Sequence, residues 1–340
     1  MAPRLIHLGG AVMDYVYRVP SLPRRAAELL AGSFERLPGG AVNMMVAARR
    51  TGLATACGGH LGTGADGDRL RAFLAAEGIE VLLPPLADVD SGNCVVLVTP
   101  DAERSFVSWP GAEARADGFA ALAGMVKPGD IVTVNGYILT YPRCRPAVLS
   151  LLERLEDGVD LVFDPAPVIA DIPADALSAV LARATWLSAN TSEIAAIEPG
   201  AALADAAARI LAERMPRARG VVVRGGADGA HLLTRSGTLA TIQGFAVEAI
   251  DTNGAGDTHL GSFVSALARG MEPEEAVRYA NAAAAIAVTR HGGASGPGHD
   301  EILEFLALKD QDRDLDRRGT GRDPMTRQAP PRMMVEGNET

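Results

Sequence analysis

Short apolar runs alternate along this chain with alanine-rich segments of helical spacing. The first run, Leu5-Ile6-His7-Leu8, ends at Gly9-Gly10 and predicts a buried strand closed by a turn. From 14 to 38 the periodicity is weak, with prolines at 20, 23 and 38, which predicts an irregular or antiparallel excursion. Residues 43–50 carry helical spacing and stop at Gly52, and 69–77 read as a second helix closed by Gly78. The segments 93–98 and 104–109 are rich in β-branched and aromatic residues. The turn-forming residues between them predict a hairpin.

From 120 onward the rhythm is regular. Strands are predicted at 130–134, 160–163, 186–188 and 220–223, and helices at 145–155, 174–184 and 201–214. A second hairpin is predicted at 231–234 and 239–242, followed by two long alanine-rich helices at 256–269 and 273–289. This alternation predicts an α/β fold, a three-layer doubly wound and mostly parallel sheet covered on both faces. Such sheets hold ligands beyond the carboxyl ends of their strands. The segment from about 309 to 340 opens on Asp310-Gln311-Asp312-Arg313-Asp314 and has few core-forming residues, so a disordered tail is expected there.

Composition narrows the classes. The 340 residues are 48% hydrophobic, enough for one large core. The formal net charge is −10, and no Lys/Arg-dense stripe exists to neutralise phosphates, so no nucleic-acid partner is expected and a neutral substrate is favoured. Cys57, Cys94 and Cys144 have neither disulfide nor zinc spacing and read as buried small hydrophobes. No apolar run approaches the roughly 18 residues that span a bilayer. The first residues lead straight into a strand without a signal peptide. A cytoplasmic protein without a membrane partner is expected.

The chemistry concentrates in Asp251-Thr252-Asn253-Gly254-Ala255-Gly256-Asp257, a polar, glycine-rich turn directly before a long helix. Glycines let backbone approach a ligand closely. The first amides of a helix lack internal partners and, with the helix dipole, make an anion site. Such a cradle suits a phosphoryl group in transfer. Asp257, at the helix start, can take a proton from an attacking hydroxyl. A plain Asp/Gly cap would explain one such residue but not the whole block.

At this block the chain resembles the ribokinase-like, or PfkB, family of carbohydrate and nucleoside kinases. Gly39-Gly40 with Asn43 resembles its sugar-binding signature, and Gly58-Gly59-His60-Leu61-Gly62 with Asp66-Gly67-Asp68 its next block. Glu103-Arg104-Ser105-Phe106 looks like its lid strand, Asn190-Thr191-Ser192-Glu193 like its N-x-x-E motif, and Gly226-Ala227-Asp228-Gly229 like its turn near the nucleotide. Asn281-Ala282-Ala283-Ala284 and Thr289-Arg290-His291-Gly292 are similar to its C-terminal helix and loop. The resemblance runs in family order over about 5–306.

It implies an ATP-dependent phosphotransferase acting on an alcohol group of a small sugar, in a kinase domain spanning 1–308 with a β lid from about 11–36 and 91–112. Asp257 would be the base and Gly254, Ala255 and Gly256 the anion hole. Asp14, Gly39, Gly40 and Asn43 would bind the acceptor. Asn190 and Glu193 would organise Mg2+ and phosphate through water, beside Arg224, Gly226, Gly229 and Asn281 on the nucleotide side. Arg224 would grip phosphate as a fork. Asp251 and Asn253, with the 290–296 loop, would hold a monovalent cation, potassium in many members. Family lids often pair, so a homodimer through the lid is expected.

The chain also departs from the pattern. Only Ala41 and Val42 separate Gly40 from Asn43, Val12 replaces a ribose-binding Asn, and Asn135-Gly136-Tyr137 stands where ribokinases carry an acid. Ribose itself is therefore disfavoured. His259, two residues past the base, reads as a polar packing histidine. The main alternative is a ribonucleoside kinase, which needs a stacking wall, with Phe106 and Trp109 as candidates. A catalytically dead, ligand-sensing relative is argued against by the intact Asp257 and its glycines. A nicotinamide-dependent oxidoreductase is argued against because Gly9-Gly10 does not continue as G-x-G-x-x-G.

Overall fold

The computed structural model describes residues 2–101 and 103–317. Nine strands form the large sheet: β1 (Arg4–His7), β4 (Ala54–Cys57), β5 (Glu80–Val81), β8 (Ile131–Asn135), β9 (Asp160–Asp164), β10 (Trp186–Asn190), β11 (Gly220–Arg224), β12 (Gly229–Thr234) and β13 (Leu239–Gln243). Their order is β13-β12-β11-β10-β9-β8-β1-β4-β5. All pairs from β11 to β5 are parallel, and β12 and β13 add an antiparallel edge. The helices are α1 (Val42–Arg50), α2 (Ala65–Ala76), α3 (Phe119–Met125), α4 (Gly136–Thr140), α5 (Arg145–Glu153), α6 (Ala174–Arg183), α7 (Thr191–Ile197), α8 (Leu203–Arg209), α9 (Ala255–Ala268), α10 (Pro273–Val288) and α11 (His299–Arg317).

The parallel strands are apolar on both faces, as burial on both sides demands. Alternate residues serve opposite layers. Leu161, Phe163, Leu187, Val221 and Val223 pack with α3 and α5 to α8. Trp186 points the other way and meets Phe263 of α9 edge-on, with ring centroids 5.2 Å apart. On that side α9 packs against both α1 and α10. Crossover connections leave the strand ends β8 to β11 side by side, and the site assembles there.

A second sheet has the order β3-β2-β6-β7, from β2 (Ala11–Arg18), β3 (Ser33–Gly40), β6 (Asn93–Val98) and β7 (Arg104–Trp109). The weakly periodic excursion after β1 is thus an antiparallel pair, and the predicted 93–109 hairpin joins it through the parallel pair β2–β6. Cross-strand partners share a face. Register therefore puts Asp14, Val16, Cys94, Val96, Arg104 and Phe106 on one side. Tyr15, Tyr17, Val95, Val107 and Trp109 share the other.

Three expectations shift. The predicted 201–214 helix is α8 followed by a wider π-type turn, Ile210–Arg214. The short helices α4 and α7 carry too few residues to show a period. α11 runs past 309, where disorder was expected. The remaining tail, 318–340, lies outside the described residues. Among the described residues no helix is long and apolar enough to cross a membrane.

Phe263 has no exposed surface. Phe263→Ala is expected to cost about 3–5 kcal/mol, the range for emptying an aromatic core position. Urea unfolding should show this as a lower midpoint with an unchanged slope.

Candidate active site

The glycine-rich block lies where its spacing predicts, with α9 starting at Ala255 after Gly254. Gly254 has φ +70°, and a Cβ there would stand 2.4 Å from the Gly293 carbonyl, so the turn requires glycine. Ala255 N–H bonds the Thr252 carbonyl and Thr258 N–H the Gly254 carbonyl. The Gly256 and Asp257 N–H groups between them have no partner among the described residues. Two free amides at the start of a 14-residue helix form an anion cradle.

Asp257 stands in this first turn. Its Oδ2 accepts a hydrogen bond from Asn43 Nδ2 at 3.1 Å. Asn43 is buried on α1, and its Oδ1 has no partner among the described residues. Burial pushes the Asp257 carboxyl up to about 6; the Asn43 bond opposes this and the nearby Asp164 charge adds to it. Asp14, on the same cleft, is pushed up to about 7 by burial and by the charge of Asp257. Gly39 of β3 lies directly against it: a Cβ there would meet Asp14 Oδ2 at 2.2 Å. Gly40 ends β3 just before α1. Asp14, Gly39, Asn43 and Asp257 are therefore gathered into one cleft.

Across the sheet, register sets Asn135 beside Asp164 and Asn190 beside Arg224. Asn190 and Glu193 close a capping box on α7: Glu193 N–H donates to Asn190 Oδ1 at 2.8 Å, and Asn190 N–H to Glu193 Oε2 at 2.7 Å. Burial and Asp164 raise the Glu193 carboxyl, and Arg224 counters them.

The fork expected of Arg224 toward phosphate is turned instead onto the protein. Its Nη1 donates to Asp164 Oδ2 at 3.0 Å and to the Gly256 carbonyl at 3.3 Å, and its Nη2 to Glu193 Oε2 at 3.3 Å. Two buried acids at neighbouring strand ends need a cation, and Arg224 supplies it. Asn281 is likewise not an open nucleotide contact. Its Nδ2 donates to the Ile242 and Gln243 carbonyls, and its Oδ1 meets His259 Nε2 at 3.1 Å. It pins α10 to β13 and α9. His259 is a packing histidine, lowered to about 3 by burial and by Arg224. Gly226 and Gly229 bound the turn from β11 to β12, just past Arg224.

The monovalent-cation site expected at Asp251 and Asn253 does not fit the oxygens present. Asp251 Oδ1 accepts from Asn253 N–H at 2.8 Å and also from Arg104 Nη2; its Oδ2 accepts from Gly292 N–H at 3.2 Å. The stacking wall is corrected as well. Phe106 and Trp109 are an odd number of residues apart on β7, so only Phe106 faces the cleft.

Two site groups escape sequence reasoning. Asp164 shows only as an acid at a strand end, the position where such sheets place function. Tyr137, in the first turn of α4, has its hydroxyl raised by burial and then by the charge of Asp257.

The sequence matches the pfkB family of carbohydrate kinases over residues 3–299, and the chain belongs to that family. It is a carbohydrate kinase by that membership and by its relatives. An uncharacterized sugar kinase of Escherichia coli K12 is 30% identical over 298 residues, which is 87% of this chain and 92% of that protein. A ribokinase of Haemophilus influenzae is 30% identical over 314 residues, 90% of this chain and 99% of that protein. The crystal structure of a Thermotoga maritima ribokinase aligns with a TM-score of 0.77 at 25% identity, covering 90% of this chain and all of that one.

The raised carboxyls predict the pH response. With Asp257 as the expected base and Asp14 as the expected hydroxyl-binding carboxylate, both working ionised, kcat/KM should fall as pH drops through about 7 and then about 6. Asp14→Asn should remove the upper step and leave the lower one in place, because Asp14 is already mostly protonated where Asp257 titrates. A single limb that Asp14→Asn does not move would contradict this. Gly39→Ala should raise the acceptor KM at least tenfold while the melting temperature changes little.

Proposed function

We propose that the chain transfers the γ-phosphoryl group of ATP to a hydroxyl of a small neutral sugar. The acceptor hydroxyl lies between Asp14 and Asp257. Its proton passes to Asp257 Oδ as its oxygen attacks the γ-phosphorus, and ADP leaves with the bridging oxygen and its electron pair. The free Gly256 and Asp257 N–H groups stabilise charge on the transferred group. The observation that carries this reading is a partly buried Asp257, held by Asn43 at 3.1 Å, in the same turn as two unpaired amides.

Mg2+, when bound on the nucleotide, neutralises phosphate charge. Among the described residues no three acids or histidines are grouped to cage an ion. Glu193 and Asp164 fit the role of acceptors for its water shell, the usual protein contact for this ion. Arg224 then keeps those two acids from repelling the incoming phosphates. The small sheet serves as a lid, with Phe106 over the acceptor and water excluded beneath it. Its outer face exposes Phe34 (45%), Val107 (66%) and Trp109 (72%), which supports a homodimer through the lid. Use of ATP and three buried free thiols support a cytoplasmic location.

Phe106, 59% exposed on the cleft side, keeps a nucleoside acceptor as the second reading. Parallel panels of sugars and nucleosides with ATP decide between them.

Asp257→Asn is expected to lower kcat by about 10³ or more, with ATP affinity unchanged. The same variant should melt higher at pH 8. A carboxyl whose folded pKa is raised binds protons more tightly folded than unfolded, so its ionised form lowers stability as pH rises. Wild-type turnover in that variant would remove Asp257 from the role of base.

A further inference from the structure

Asp251 opens the loop that carries the anion cradle. Main-chain bonds from Ile250 N–H and Asp251 N–H to the Val288 carbonyl fix its start. Its carboxylate then ties Asn253 N–H to Gly292 N–H, and so the cradle loop to the loop after α10. One cation reaches this carboxylate among the described residues, and it comes from the small sheet: Arg104 of β7. Arg104 Nη2 donates to Asp251 Oδ1, and Nη1 to Thr252 Oγ1 at 3.2 Å. Both side chains are largely covered, at 17% and 12% exposed.

Three carbonyls of the 290–296 loop are also held by arginines. Arg50 Nη1 donates to the Ala294 and Gly296 carbonyls at 3.1 and 3.0 Å, and Glu77 holds it there. Arg290 Nη1 donates to the Ser295 carbonyl at 3.2 Å. A dissolved cation needs several oxygens free at once. Here the carboxylate and three successive loop carbonyls each already face a guanidinium.

We propose that Arg104 is a tethered cation that takes the place of a dissolved monovalent ion at Asp251, so that phosphoryl transfer by this chain does not depend on potassium. The proposal rests on the kinase reading above. Arg104 is a positioning residue: its side chain bonds Asp251 and Thr252, and it acts through Asp251 on the Asn253–Asp257 turn. Because it is carried by β7, the charge on Asp251 is neutralised only while the small sheet is seated over the cleft. Seating the lid and shaping the anion cradle are then one event.

The test compares wild type, Arg104→Gln and Arg104→Lys in potassium, sodium and tetramethylammonium chloride at equal ionic strength. Wild type should turn over equally in all three, within twofold, and its melting temperature should not respond to potassium specifically. Arg104→Gln should lose at least tenfold in kcat in tetramethylammonium, with potassium or millimolar guanidinium restoring part of the loss. Its melting temperature should acquire a potassium-specific rise. Arg104→Lys should stay independent of potassium. A wild type that needs potassium, or an Arg104→Gln variant that neither potassium nor guanidinium affects in rate or in melting, overturns the proposal. The melting series decides the cation question even if no tested sugar is phosphorylated, which would instead count against the kinase reading.

Discussion

Arg224 sits between Asp164 and Glu193 at the carboxyl ends of three adjacent strands, and the site depends on that contact. Two acids so placed repel each other and any phosphate near them. The guanidinium touches both and also holds the Gly256 carbonyl at 3.3 Å, so charge balance and cradle geometry share one side chain. Removing it would strand two poorly solvated carboxylates, a change of about 3–5 kcal/mol for buried pairs. The balance is incomplete. Burial first, then Asp164 and Glu193, outweigh Asn43 and Arg224 at Asp257, and its carboxyl stays raised, near the range where a base works.

The fold was legible because its signals are local. Apolar runs and alanine-rich helices alternate, and many boundaries carry a glycine, a proline or a cap. The cradle was legible for the same reason, since a glycine-rich turn and the helix it opens are continuous in sequence. The Asn190–Glu193 box is local too, since its partners stand three apart. What escaped was pairing at long range. Nothing in the sequence around Arg224 says that its fork meets Asp164, 60 residues earlier, rather than a phosphate. Arg104 and Asp251 are 147 residues apart, and only the register of the small sheet brings them together. The parity of β7 separates Phe106 from Trp109, but which of the two faces the cleft is decided by where β6 pairs.

The two halves of the cleft come from different parts of the chain. Groups toward the phosphoryl side (Asp164, Asn190, Glu193, Arg224, Gly256) lie in the regular βα repeats, where rigid strand ends fix them. Groups toward the acceptor (Asp14, Gly39, Phe106, Tyr137) lie on the small sheet and a five-residue helix. The departures from the ribokinase pattern at Val12 and Tyr137 fall in that second half. On the proposed reading, reaction type rests with the strand ends and acceptor choice with the small sheet and α4.

The contact between α1 and α9 also orders events during synthesis. Residues 42–48 of α1 are all buried, Asn43 among them, and their cover includes a helix made more than two hundred residues later. As the chain leaves the ribosome, α1 has no α9 to lie against, and Asn43 has no Asp257 to receive its amide. The amino-terminal part of the sheet must wait, with an apolar helix face open, until α9 has emerged. A chain cut short before 255 lacks both its catalytic turn and the cover for its first helix, and should behave as a client for chaperones and proteases rather than as a partial enzyme.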